Sequence, residues 1–312
     1  MGTRPELLAL IDIGSNAVRC LVAECSPGNG FKIAREERGQ TRLGGGTPGE
    51  LPASAVEETV ATIRRFLAGV RQEIAQGRQF CVLAIATAAV RDATNRNALL
   101  GALKQETGVT VRILSGEEEA RFGALAAMER LAFRDGVVMD LGGGSLQISR
   151  VRSGEVQHTS SLPLGALRTT RQFFRNDPPI EPEVLVLRKE VRRLLIPLLS
   201  PADEAGALIG TGGAVRALAS MHLATLPGPA PSRHGYRLER SAVARLRERL
   251  AACSAWERRG IPGLKAERAD IILAGAIVIE EVMTLGGYEA LTVCKDGVRH
   301  GVLLHKIFHQ GA

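Results

Sequence analysis

Aromatic residues are scarce in this 312-residue chain: two tyrosines, one tryptophan and eight phenylalanines, or 4%. Stacking platforms for single-stranded nucleic acid need aromatic faces in numbers, so no nucleic-acid partner is expected. Lysine is scarce as well, only 6 of the 40 cationic side chains. Arginine grips phosphate through two parallel N–H bonds where lysine offers a point charge, although codon usage alone can produce such a bias. The five cysteines (Cys20, Cys25, Cys81, Cys253 and Cys294) are odd in number and nowhere form a CxxC pair. That excludes a disulfide framework and a zinc site, and the thiols read as small core residues in a reducing cytoplasm. Long apolar runs are missing. The longest, "IILAGAIVI" (271–279), stops at Glu280 and Glu281, and nine residues cannot cross a bilayer. The N-terminal apolar stretch is broken by Asp12, so no signal peptide and no membrane association are expected.

What is present is an uneven positive charge. Residues 1–130 hold 16 Lys/Arg against 15 Asp/Glu, net +1; residues 131–312 hold 24 against 18, net +6. A basic second half suits an anionic partner.

The chain also repeats itself. "LALIDIGSNAVRCLVAE" (8–24) and "GVVMDLGGGSLQISRV" (136–151) share an apolar climb, an aspartate, an aliphatic residue, a glycine, small residues and a second apolar strand. Asp12 and Asp140 lie 128 positions apart, close to half the chain. Similarity at that period predicts two related halves, each opening with a strand–turn–strand unit. After the first hairpin, the spacing predicts a helix over 53–75, a buried strand running into a turn over 80–92, a helix closed by Gly108, and a strand over 109–114. The second half offers helices over 181–199, 240–252 and 266–285, with the strand "GALIGTGG" leading into the helix "AVRALASM". Alternating strands and helices argue for α/β layers in both halves. The Pro/Gly-rich segment 226–237 reads as a surface loop.

Glycine within strands is costly, roughly 0.5–1 kcal/mol relative to alanine, so Gly142, Gly143 and Gly144 in succession need a reason. A tight turn aims successive backbone N–H groups at one point, and only small residues let phosphate oxygens come that close. Gly14, Ser15 and Asn16 form the first such turn, and Gly142 to Ser145 the second. Asp12 and Asp140, at the strand tips, are placed to hold a divalent cation that bridges phosphates. A plain glycine hairpin explains either turn alone; two matching copies, facing each other from two domains, favour a paired phosphate site. Gly212 and Gly213, at a strand-to-helix turn, offer a helix N-terminus for phosphate, as many αβ connections do.

In "ILSGEEEARFGALAAM" (113–128), Ser115 and Glu118 form a capping box, and the positive helix end accounts for Glu117. Glu119 is required by neither rule. It reads as a solvated helix face or as a group that orients or deprotonates water. Arg91, at the end of a buried strand, Arg19, after the first turn, and Arg268, opening the last long helix, are candidate phosphate cations, each of which alone also reads as a surface arginine. His300 and His305 could share a helix face, and nothing is assigned to them.

Together these residues resemble the exopolyphosphatase/guanosine pentaphosphate phosphatase (Ppx/GppA) family of the actin–Hsp70–sugar kinase superfamily. The likeness runs nearly end to end, through "DIGSNAVR", "ATAAVRDATN", "SGEEEAR", "DLGGGSLQ", "SLPLGALR", "GTGGAVRALA", "ERADIILAGAIVIEEVM" and "DGVRHG". It implies two related ribonuclease H-like (actin-like ATPase) α/β domains, 1–127 and 128–312, with a cleft between them and a last helix that could pack back on the first domain. It further implies Glu119 as the catalytic acid/base, Asp12 and Asp140 as metal positions with Mg²⁺ or Mn²⁺, and Arg19, Arg91 and Arg268 as phosphate or alarmone contacts. The implied reaction is release of terminal orthophosphate from inorganic polyphosphate, with guanosine pentaphosphate as a further substrate, in a cytoplasmic homodimer. The alternative is a polyphosphate or guanosine tetraphosphate sensor with little turnover; an ATP-dependent sugar or acetate kinase of the superfamily is a third. Three positions depart from the family pattern: Gln147 where Glu is common, Ala17 where Ser is common, and His300 where Glu is common. The C-terminal helical domains of the long members have no counterpart in these 312 residues.

Overall fold

Strand β1 (Glu6–Ile13) is apolar from Leu7 to Ile11 and wholly buried over that run. Such a strand needs cover on both faces, which places it in the middle of its sheet. A computed structural model describes residues 6–26, 30–74, 80–199 and 206–309, and in it β1 is central. It pairs antiparallel with β2 (Val18–Ser26), which pairs antiparallel with β3 (Gly30–Gly39). On its other side it pairs parallel with β4 (Phe80–Ala86), which is followed by β5 (Val111–Ile113), giving the order β3-β2-β1-β4-β5. The edge strand β3 alternates, with Lys32 and Glu36 in solvent, as edges that avoid sticking to other chains do. Helix α1 (Ala53–Ile74) covers this sheet with Val60, Ile63, Phe66, Leu67 and Val70, a stripe at helical spacing. The expected last residue of that helix, Ala75, lies outside the described residues.

The second sheet repeats the plan. Its strands are β6 (Gly136–Leu141), β7 (Leu146–Arg152), β8 (Glu155–Leu162), β9 (Ala207–Gly212), β10 (Arg237–Glu239) and β11 (Ala290–Val293). The order is β10-β11-β9-β6-β7-β8. The antiparallel run β6-β7-β8 and the parallel neighbours β9 and β11 match β1-β2-β3 and β4-β5 in the first sheet. The duplication read from the two aspartate turns therefore extends to strand order and direction, with β10 added at one edge.

The chain divides into two compact units. One holds the residues through Glu119 together with those from Arg299 onward; the other holds Ala120–Val298. The first boundary falls inside helix α2 (Gly116–Leu131), the second within the first turn of helix α3 (Val298–His309).

In the second unit, α4 (Ile272–Leu285) is buried along nearly its whole length, from Ile272 to Met283. Its two acids, Glu280 and Glu281, are buried yet paired: Arg188 reaches both, Arg192 Nε donates to Glu281 Oε2 at 2.7 Å, and Arg247 Nε donates to Glu280 Oε2 at 3.1 Å. Among the described residues no helix is long and apolar enough to cross a membrane.

Several local expectations are corrected. Residues 266–285 are not one helix: Ala266–Arg268 form a 3-10 turn and α4 starts at Ile272. Arg268 therefore sits before the helix, and α3 follows it. Residues 88–92 form a short helix, α5 (Ala88–Asp92), where a turn was expected. The helix expected over 181–199, α6 (Glu181–Leu195), ends early. His300 is buried and His305 exposed, both on α3; five residues apart on a helix they point about 140° away from each other.

Candidate active site

In the first unit, three consecutive glutamates meet three different fates. The capping box forms as expected: Glu118 N–H donates to Ser115 Oγ at 3.1 Å, and Ser115 N–H donates to Glu118 Oε2 at 2.9 Å. Glu117 is exposed and Glu118 half-buried, but Glu119 turns inward and is 7% exposed. Arg91, in the last turn of α5, donates through Nη1 to Glu119 Oε2 at 3.0 Å and to the Leu114 carbonyl at 3.1 Å. Helix α5, directly after β4, thus delivers an arginine against the only glutamate of the three that is buried.

The first turn closes on itself: Gly14 N–H donates to the Ala17 carbonyl at 3.2 Å. Gly14 shapes the bend with its own amide, which leaves Ser15 and Asn16 at the tip, both buried. The segment after β3 braces them, with Gly44 N–H donating to the Ser15 carbonyl at 2.8 Å and Arg42 N–H to the Asn16 carbonyl at 3.3 Å. Arg42 is left-handed there, at φ 48°. The side-chain amide of Asn16 and the hydroxyl of Thr41, both buried, have no hydrogen-bond partner among the described residues. Buried polar groups are almost always satisfied, so these two mark a place built for a ligand or for water. Asp12, at the end of β1, is held by Arg19 Nη1 at 3.3 Å and faces Arg299 Nε at 3.8 Å.

In the second unit the glycine turn is equivalent: Gly142 N–H donates to the Ser145 carbonyl at 3.0 Å. The carbonyls of Gly142 and Gly143 point away from the tip and accept from Ala166, Leu167 and Arg168, the first N–H groups of helix α7 (Ala166–Phe173). Gly165 packs so closely on this turn that a Cβ would collide with the backbone of Gly143, Gly144 and Ser145. Gln147 Nε2 donates to Ser145 Oγ at 2.6 Å and to Ser161 Oγ at 3.1 Å, so the residue that departs from the family pattern steadies the turn as a neutral amide.

Asp140 is ringed by glycines. A Cβ on Gly212 would lie 2.8 Å from its Oδ1, one on Gly297 3.2 Å from Oδ2 and one on Gly123 3.6 Å from Oδ2. Gly212, at φ 94°, ends β9 and turns the chain into helix α8 (Gly213–Leu223). The Arg268 guanidinium lies where a Cβ of Gly213 would be, over the α8 N-terminus. The unit therefore gathers Asp140, Gly212, Gly213 and Arg268. The space around Asp140, which side chains would fill, suits a hydrated hard cation bound by a carboxylate, phosphate oxygens and water. Asp12, engaged by two guanidinium groups, fits a divalent ion less well. Among the described residues, no group of three or more His, Cys, Asp or Glu could hold a metal by itself.

Arg299, inside "DGVRHG", and Thr41 with the brace at 42–44 carry no signal of their own in the linear sequence, where small and charged residues resemble those of any loop.

The model of the Ppx/GppA phosphatase family matches residues 21–309. Exopolyphosphatase 1 of Mycobacterium tuberculosis is 34% identical, over 96% of this chain and 88% of that protein. Among solved structures, an exopolyphosphatase from Cytophaga hutchinsonii superposes with a TM-score of 0.86 at 25% identity, covering 97% of this chain and 98% of that one. The Ppx/GppA family member of Aquifex aeolicus gives 0.80 at 27% identity, covering 98% and 99%. The fold class expected from the sequence is the one these proteins share.

Proposed function

The chain belongs to the Ppx/GppA phosphatase family, and we propose that it is a phosphohydrolase that releases terminal orthophosphate from inorganic polyphosphate, with guanosine pentaphosphate as a second substrate of the same chemistry. The observation that carries this reading is the buried Glu119 held by Arg91. A carboxylate so fixed can accept the proton of an attacking water in a set direction, and positioned proton transfer is worth about 10²–10⁴-fold.

Phosphoryl transfer otherwise needs positioning and charge stabilisation. In the first unit the tip residues Ser15 and Asn16, with the unpartnered Asn16 amide, serve as donors to phosphoryl oxygens. In the second unit Ser145, the Gly143–Gly144 tip and the α8 N-terminus under Arg268 serve the same end. Asp140 would hold Mg²⁺ or Mn²⁺, which when bound neutralises charge on the phosphoryl oxygens.

A second reading, a polyphosphate or alarmone sensor with little turnover, is favoured by Gln147, a neutral amide fixed between Ser145 and Ser161. The two separate by experiment. The purified chain with divalent ion is given long polyphosphate, tripolyphosphate and guanosine pentaphosphate at equal concentration, and orthophosphate release is followed. Release from polyphosphate is expected; binding without release from any of the three supports the sensor instead.

A further inference from the structure

Helix α6 carries four apolar residues in succession, Val184, Leu185, Val186 and Leu187. Successive residues on a helix stand about 100° apart, so no single face can bury all four. The inner stripe is Leu187, Val191 and Leu195, fully buried in the core of the second unit. Beside it, Arg188 and Arg192 tie the helix to Glu280 and Glu281 of α4. Leu185, two positions before Leu187, points nearly the opposite way.

The outward side chains are left in solvent, Leu185 at 55% and Val186 at 56% exposed. Among the described residues, four of the six large apolar side chains that are well exposed (Ile180, Leu185, Val186 and Ile196) lie on α6 or next to its ends. Ala255 N–H donates to Asp177 Oδ1 at 2.8 Å and to Oδ2 at 3.0 Å. That contact fastens the neighbouring Trp256, 76% exposed, beside the approach to the same helix. Scattered exposed apolar residues need no explanation, but a gathered group marks an interaction surface.

Charge identifies the occupant. Glu181, Leu185 and Lys189 follow one another at four-residue steps and form one outward row. Glu181 and Lys189 are exposed, and neither makes an ion pair with another described residue; the next residue of the row, Arg193, is already paired with Glu190. One negative and one positive charge therefore stand at equal distances on either side of Leu185. A two-fold axis at Leu185, with α6 antiparallel to α6 of another copy, sets Glu181 of each chain against Lys189 of the other. An interface between identical chains must be complementary to itself in this way, whereas an acidic or a basic partner would satisfy only one of the two charges. We propose that the outer face of α6 joins two copies of this chain. Leu185 and Val186 form the apolar centre, and a Glu181–Lys189 pair closes each side, in the usual arrangement of apolar core and polar rim.

The test is the oligomeric state of the full chain by analytical ultracentrifugation, with circular dichroism to show that each variant is folded. Wild type is expected to dimerise at micromolar concentration. Leu185→Glu sets like charges together at the two-fold axis and should raise the dimer Kd at least about 100-fold. Glu181→Lys and Lys189→Glu should each raise it about tenfold, because each creates two like-charge contacts. Combined in one chain, the two substitutions exchange the signs and should restore the wild-type Kd. Leu185→Cys should give a disulfide-linked dimer on mild oxidation, since cysteines meeting at the axis are within bonding reach, while wild type under the same oxidant should not; this readout stands even if Leu185→Glu fails to fold. A wild type that is monomeric throughout would overturn the proposal and leave the face to a different partner. A dimer indifferent to Leu185→Glu, or a double exchange that restores nothing, would overturn it as well.

Discussion

Arg91 Nη1 stands 3.0 Å from Glu119 Oε2 and 3.1 Å from the Leu114 carbonyl, so one guanidinium ties the loop before helix α2 to the carboxylate of its first turn. The pair stands where strand β4 ends and α2 begins, and both side chains are largely shielded, 23% and 9% exposed. An acid fixed in this way can be removed without disturbing the phosphate turns. Replacement by Glu119→Gln keeps the shape and abolishes the proton acceptor. Turnover on polyphosphate should fall by about 10²–10⁴-fold with Kd changed less than about threefold, measured by phosphate release and calorimetry. Undiminished turnover would take Glu119 out of the reaction.

Asp140 lies among glycines that leave room beside its carboxylate. Asp140→Asn should raise the Mg²⁺ or Mn²⁺ concentration needed for half-maximal turnover at least about tenfold, with part of the rate restored at high ion. Removal of divalent ions by chelation should stop wild-type turnover. Titration of activity against ion concentration checks both.

Gly165 has no space for a methyl group against the backbone of Gly143 to Ser145. Gly165→Ala must push the second turn aside or shift the start of α7. Overpacking of this kind costs about 1–3 kcal/mol, and a displaced turn should cost more in kcat/KM than in stability. Denaturant unfolding set beside kinetics separates the two.

Glu281 is fully buried against Arg188 and Arg192. Breaking a buried pair strands a charge and costs about 3–5 kcal/mol; the lower end is expected for Glu281→Ala, since Arg192 is 51% exposed. Turnover per folded molecule should not change. Chemical denaturation measures the loss.

Cys294 is buried, and burial pushes its thiol up to about 11. A raised thiol stays protonated, and the thiolate is the reactive form. Near pH 8, alkylation followed by mass spectrometry should modify the partly exposed Cys25, Cys81 and Cys253 long before Cys294, unless the protein is first unfolded.

The fold was legible because its signals are local and repeated. The apolar climbs to Asp12 and Asp140 force central strands, and tight turns follow wherever glycine interrupts them. The capping box at Ser115 and the left-handed stop at Gly108 are written in single residue types. The site was legible in part. Local rules allowed Glu119 to be a solvated acid, because only the return of Arg91 on α5 reveals that it is buried. Arg299 was invisible, since its significance lies in a helix nearly 290 positions from Asp12, which no linear pattern encodes. The false helix start at 266 arose because Ala266–Arg268 form a 3-10 turn whose residues continue the apolar spacing of α4.

The division of the chain sets an order on its biosynthesis. Residues 120–298 are contiguous and can consolidate as soon as they have left the ribosome, while the unit begun earlier lacks α3 until translation has passed Arg299. Arg299, which faces Asp12, is among those late arrivals. The lobe that carries Glu119 is thus the first to start and the last to be finished, and a nascent chain stalled before that helix would carry the acid and Arg91 without the cation that faces Asp12.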